Sequence, residues 1–268
     1  MSHDRPDART RRRLLGVAAA TGASALAGCT GGLSADFPGA GDTEATTATT
    51  TGPPLGDHPA AEGIADQARF GPPPADAEGV VVAFEDPSCP RCAAWETGTV
   101  PKLRERLGDR VAVVFRSYPV IYPWGRPATQ AIEAAFARET GSKATQATTD
   151  ERSTTTSGPT PYGTRQGSTA TWALIRHYFE NQDRFDADNV LDLTRAFLAE
   201  ETDLDADAVV ADAEAKAHDD AVQADLAGGD AAGVGRTTPT VFLFRDGEFR
   251  TSARGSISFR VVNAALGL

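Results

Sequence analysis

The sequence predicts an α/β domain whose chain order is strand, helix, strand, then a block of helices, then two strands and a closing helix. Three observations predict it. Two runs rich in β-branched residues, "GVVVAF" at 79–84 and "RVAVVFRSY" at 110–118, have the continuous apolar character of strands buried on both faces. They lie close enough together for one crossover helix between them, which implies a parallel pair with a right-handed connection. Near the other end, "TPTVFLF" at 238–244 and "EFRTSA" at 248–253 flank Arg245-Asp246-Gly247, a hairpin turn signal.

Taken in order, residues 1–28 read as an export signal. Arg11, Arg12 and Arg13 precede an apolar stretch from Leu14 to Leu26, too short and too rich in Ala, Gly and Thr to span a bilayer, and the small-residue run Leu26-Ala27-Gly28 leads to Cys29. "TRRRLL" resembles a twin-arginine signal, and "LAGC" resembles a lipobox, which implies lipidation of Cys29 as the first mature residue. Residues 29–60 are rich in Gly, Thr and Pro and are expected to be a disordered tether, with the threonine run at 43–51 open to glycosylation.

The folded part then divides into a first α/β half at 61–126, a helical insertion at 127–233 and a second half at 234–268. The crossover helix is expected from Pro90 toward Leu107, kinked at Pro101. Helical spacing of apolar residues predicts helices at 127–139, 169–181, 189–201 and 205–227, the last ended by Gly228-Gly229 as a C-cap. A polar stretch at 141–168 is expected to be a disordered loop. "SFRVVNAALG" closes the chain as an amphipathic helix.

The formal charge is −11, and the 28-residue signal carries five arginines against two aspartates, so the exported chain would stand at −14. Lysine occurs only at Lys102, Lys143 and Lys216. Such a surface stays hydrated where salt is concentrated, since screening over a few ångströms removes the self-repulsion. A halophilic source is the implication. The same sign of charge excludes nucleic acid as a partner, because phosphate binding needs a basic patch.

With Cys29 assigned to a lipid, Cys89 and Cys92 are the remaining pair among three cysteines. No metal is expected, since a structural zinc site needs about four N or S ligands and His58, His177 and His218 show no ligand spacing. Outside the cytoplasm a disulfide is permitted, so the pair is either redox-active or a structural staple. Trp95 and Trp124 are expected to pack in the core, and no cofactor is called for.

The motifs "FEDPSCPRC", "FRSYP" and "TTPTVFLF" in this element order resemble the thioredoxin fold in its DsbA-like form, in which a helical domain is inserted between the two halves. The resemblance covers about 79–268. It implies a thiol-disulfide oxidoreductase acting on exported proteins that carry thiols or disulfides, recharged by a membrane redox partner and held on the outer face of the cell membrane by the Cys29 lipid. Cys89, at a helix N-terminus beside cationic Arg91, is expected to have a depressed pKa and to attack first. Cys92 would resolve the mixed disulfide. Pro90 and Arg91 would tune the direction, which looks closer to the Cys-Pro-His-Cys of disulfide-forming enzymes than to the Cys-Gly-Pro-Cys of reductants. Thr238 and a cis Pro239 are implied as the substrate-binding loop.

Many family members carry a buried carboxylate six residues before the first cysteine as a proton relay, and here that position is Ala83. Glu85, Asp86 or water is the expected substitute. Oxidase, isomerase and reductase directions remain open at this point. So does a different class of function, a soft-metal (copper) chaperone using the same two thiolates.

Overall fold

Five strands form one sheet in a computed structural model that describes residues 52–147 and 169–268 of the 268-residue chain. The signal segment 1–28, Cys29, most of the tether and residues 148–168 of the polar stretch lie outside the described residues. The strands are β1 (Arg69–Phe70), β2 (Gly79–Glu85), β3 (Val111–Ser117), β4 (Thr240–Arg245) and β5 (Glu248–Arg254), in the spatial order β1-β3-β2-β4-β5. β2 and β3 are parallel, with Val81 opposite Val113, and every other pairing is antiparallel. β1 is only two residues long, too short for any periodic signal in the sequence.

Alternation along β2 and β4 sends side chains to two separate cores. Val80, Val82 and Phe84 join Phe242, Phe244 and Tyr118 on one face. Val81 and Ala83 join Trp95, Leu103, Phe115 and Leu243 on the other, under the helices. Both faces are covered, which is why the central strands read as unbroken apolar runs. Asp246 and Gly247, at φ 51° and 78°, make the tight turn between β4 and β5.

The helices are α1 (Pro90–Gly98), α2 (Val100–Leu107), α3 (Gly125–Ala147), α4 (Thr169–Glu180), α5 (Val190–Glu201), α6 (Ala206–Ala215), α7 (Asp219–Ala231) and α8 (Phe259–Leu266). Three expectations need correction. The crossover is two helices broken at Thr99, ahead of Pro101, which sits in the first turn of α2, where a missing N–H costs nothing. The stretch 205–227 is also two helices, α6 ending at Lys216 in the left-handed region with φ 53°. Gly228 and Gly229 lie inside α7 instead of capping it. A Cβ on Gly229 would stand 2.5 Å from a Tyr118 ring carbon, and one on Gly228 would stand 3.2 Å from the Arg116 guanidinium, so these glycines permit a close approach of α7 to the sheet.

Two segments expected to lack structure carry it. α3 continues to Ala147, into the polar stretch expected to begin at 141. The end of the tether packs on the sheet as well: short 3₁₀ turns span Leu55–Asp57 and Pro59–Ala61, and the Leu55 N–H donates to the Gly247 carbonyl. The His58 ring meets Phe242, Phe244 and Phe249 with centroids 5.0–5.3 Å apart. The apolar face formed by these three phenylalanines is what orders a segment too poor in apolar residues to fold alone.

Beneath that segment Arg116 and Asp225, 2% and 0% exposed, form an ion pair of 2.7 Å. Arg116 also donates to the carbonyls of Ala60 and Glu62, while Asp225 accepts from the Ser117 N–H and the Gln67 amide. One pair thus ties β3, α7 and the entering chain together. No helix among the described residues is long and apolar enough to cross a membrane.

Candidate active site

β2 ends at Glu85, and the chain turns through Asp86-Pro87-Ser88 to reach Cys89, the N-cap residue of α1. Asp86 shapes that turn. Its buried carboxylate accepts from the Ser88 N–H and hydroxyl at 2.8 and 2.6 Å, and from the N–H groups of Val120 and Ile121 at 2.7 and 2.6 Å. Four donors fix this carboxylate in place at the turn. The Ser88 hydroxyl in turn accepts from the Tyr122 N–H, binding the loop after β3 to the cysteine turn.

Cys89 is 2% exposed and Cys92 fully buried, and both are free thiols. Pro90 opens the helix at its first position, where its fixed φ and missing N–H suit the first turn. The two sulfurs titrate apart. Cys89 is lowered to about 6, first because the Cys92 thiol donates to its sulfur, against the opposing effect of burial, and then through the Thr238 side chain and the N–H groups of Cys92 and Arg91. Arg91 therefore contributes its backbone N–H, while its guanidinium is exposed to solvent. Burial pushes Cys92 well above the ordinary thiol range, with its hydrogen bond to Cys89 and the charge of Glu85 adding to the rise.

Thr238 and Pro239 come to the thiol from 149 residues away. Their peptide bond is cis, and the Cys89 thiol donates to the Thr238 carbonyl at 3.3 Å. The Thr238 hydroxyl is buried and makes no other hydrogen bond among the described residues, so it is available to the sulfur once that sulfur is charged.

Two contributors escape a reading of the sequence alone. Glu96, on α1 one turn beyond Cys92, is buried with Glu85, and the charge of each acts on the other. Burial raises Glu85 well above the carboxylate range and Glu96 to about 7. Of the two relay candidates named from the sequence, Glu85 faces the thiols and Asp86 does not. The spacing of Cys92 and Glu96 at i, i+4 was the available signal for Glu96. Gln182, in a 3₁₀ turn of the helical insertion, donates from Nε2 to the carbonyls of Pro87 at 2.7 Å and Cys89 at 3.0 Å. No local pattern announces such a contact across 93 residues. Trp95 and Trp124 are core residues, and His177 stacks on Phe197 at 4.0 Å instead of facing the thiols. Among the described residues no cluster of His, Cys, Asp and Glu has the grouping of a metal site.

A family model described as thioredoxin matches residues 71–253. Similar solved structures include oxidised BdbD from Bacillus subtilis, 17% identical with a TM-score of 0.53, covering 82% of this chain and 99% of that one. DsbA from Chlamydia trachomatis is 12% identical with a TM-score of 0.53, over 81% and 91%. The catalytic domain of ScsC from Proteus mirabilis is 18% identical with a TM-score of 0.51, over 79% and 93%. No curated protein matches. The fold class is that of these structures, a mixed sheet with helices inserted between its two halves.

Proposed function

We propose, because this chain belongs to the thioredoxin family, that it exchanges disulfides with exported proteins through Cys89 and Cys92, and that donation of a disulfide is the favoured direction. The observation that carries the reading is the asymmetry of the two thiols, Cys89 lowered to about 6 and Cys92 raised by burial. A stabilised Cys89 thiolate stabilises the reduced protein, which makes the disulfide form an oxidant.

In the donating direction a substrate thiolate attacks Cys89 Sγ of the Cys89–Cys92 disulfide. The Cys92 sulfur leaves with the bond's electron pair and takes a proton from the Glu85/Glu96 pair. A second substrate thiolate then attacks the substrate sulfur of the mixed disulfide and expels Cys89 as a thiolate. The substrate has lost two electrons and two protons, one proton restoring the Glu85/Glu96 pair and the other passing to water, and the protein holds a reduced pair for a membrane redox partner to reoxidise. The Thr238 hydroxyl steadies the departing Cys89 sulfur, and the Thr238–Pro239 loop offers backbone to an extended substrate strand. Pro90 and Arg91 set the first turn from which the N–H groups reach that sulfur. The mature chain would begin at a lipidated Cys29, on the outer face of the membrane.

The test is the reduction potential of the pair, with oxidation of a reduced two-cysteine protein as readout. A potential nearer about −120 mV than about −270 mV, with activity lost in Cys89→Ser, is expected. A reductant's potential would reverse the direction. Tight stoichiometric copper binding with no exchange activity would replace the reading with metal carriage.

A further inference from the structure

Three segments frame the Cys89 sulfur: 87–91 at the cysteine turn, 118–126 after β3, and 235–239 before β4. In a chain with 37 acidic and 26 basic side chains, these segments carry Arg91, Arg126 and Arg236 and not one Asp or Glu. All three arginines are exposed, and none is in an ion pair with a described residue. Their backbones are held at the site. Arg91 lies between the cysteines. Arg126 follows Gly125, which backs so closely on the cysteine turn that a Cβ there would stand 2.9 Å from the Ser88 hydroxyl. Arg236 donates from Nη2 to the Val120 carbonyl at 3.2 Å, within the same loop.

The second of these segments also carries Tyr122, 53% exposed and the most exposed large apolar side chain among the described residues. Its N–H donates to the hydroxyl of Ser88, the residue before Cys89. An exposed aromatic side chain on the same loops as three exposed guanidinium groups, none in an ion pair with a described residue, is complementary to an extended chain that carries carboxylates next to its cysteine.

We propose that this collar selects acidic segments as redox substrates, Asp or Glu residues flanking the substrate cysteine pairing with Arg91, Arg126 and Arg236 while the backbone crosses Tyr122. The proposal rests on the exchange reading of the Cys89/Cys92 pair. Arginine suits the task in strong salt. Screening there confines electrostatics to about 3 Å at 1 M, and a planar guanidinium keeps bidentate hydrogen bonds to a carboxylate at contact range.

The test uses single-cysteine peptides in which the flanking residues are Asp and Glu, or their isosteres Asn and Gln. The rate of attack on the oxidised protein is divided by each peptide's rate with a small uncharged disulfide, which cancels differences in thiol basicity. At ~0.1 M salt the acidic peptide is expected to react about tenfold faster, a value within reach of several exposed charge pairs. The preference narrows in strong salt without vanishing. In R126Q/R236Q it should fall to less than about twofold, with the rate toward uncharged mercaptoethanol unchanged. R250Q, at the hairpin end of the sheet away from the cysteines, should keep the wild-type preference. Equal rates for the two peptides in the wild type, or a preference that survives R126Q/R236Q, would overturn the collar while leaving exchange intact. A wild type that reacts with no thiol, mercaptoethanol included, would overturn the exchange reading and the collar with it.

Discussion

Thr238 meets Cys89 with two different oxygens, one for each charge state of the sulfur. The carbonyl accepts from the thiol at 3.3 Å, whereas the buried hydroxyl has no partner until the sulfur becomes an acceptor. The neutral form loses little by ionising, because a donor is already in place. In Thr238→Val the carbonyl stays and the hydroxyl goes. A hydrogen bond to a charged group contributes roughly 1.5–3 kcal/mol, so the Cys89 pKa should rise by about 1–2 units. Alkylation rate against pH in a Cys92→Ser background measures it, and an unchanged profile would remove the hydroxyl from the account.

The same depressed pKa links redox state to stability. Cys89 falls from 9.0 to about 6 in the folded reduced protein, so the unfolded chain binds more protons between those values and reduced-state stability rises with pH there. The contribution is complete above about 9 and is lost as pH falls through about 6, with a maximum of about 4 kcal/mol. The disulfide form has no such titration. The Tm of the reduced protein relative to the oxidised one should therefore fall as pH drops from 9 to 6. A pH-independent difference would mean that Cys89 titrates like a free thiol.

What could be read from residues alone followed the range of the interactions involved. β2, β3 and the β4–β5 hairpin were legible because both cores press on every residue of the central strands and Asp246-Gly247 satisfies a local turn. The placement of the cysteines at a helix start was legible because the N-cap of α1 follows the end of β2 by only four residues. Pairings that depend on distant chain were not. Gly228-Gly229 has the composition of a cap, yet Tyr118 and Arg116 of another element decide its use. The tether's last residues looked too polar to fold until the phenylalanines of β4 and β5 supplied a surface for His58 and Leu55. Gln182 reaches Pro87 and Cys89 only because the helical insertion folds back over the turn.

Burial of both carboxyls, and the repulsion each charge would meet from the other, make Glu85 and Glu96 a poor place for negative charge and a good place for one proton. A carboxyl raised in the folded state stabilises least at high pH: the folded protein holds protons that the unfolded chain has released, so stability falls as pH rises above about 4.5. Glu85→Gln should therefore be more stable than wild type at pH 8 and no more stable at pH 4. Its exchange should nonetheless slow by ~100-fold, the usual scale for losing a positioned proton donor, because Cys92 would have to leave without one. Urea unfolding at the two pH values and stopped-flow exchange with a dithiol peptide check both halves. A faster or unchanged exchange rate would show that water protonates Cys92.

Asp225 offers the sharpest structural test, because its carboxylate serves four donors: Arg116 Nε and Nη2, the Ser117 N–H and the Gln67 amide. Breaking a buried pair by neutralising one partner costs about 3–5 kcal/mol, so Asp225→Asn should lower stability in urea by that amount. Replacing a buried pair with apolar residues often restores stability elsewhere. Here the double variant Arg116→Met with Asp225→Leu should recover only part of the loss. It strands the carbonyls of Ala60 and Glu62 along with the Ser117 N–H, all of which the pair had satisfied. Hydrogen exchange should then rise first in residues 55–62, where the chain enters the fold. Full recovery in the double variant would mean that these backbone bonds contribute little and that the entering segment is held by its apolar contacts alone.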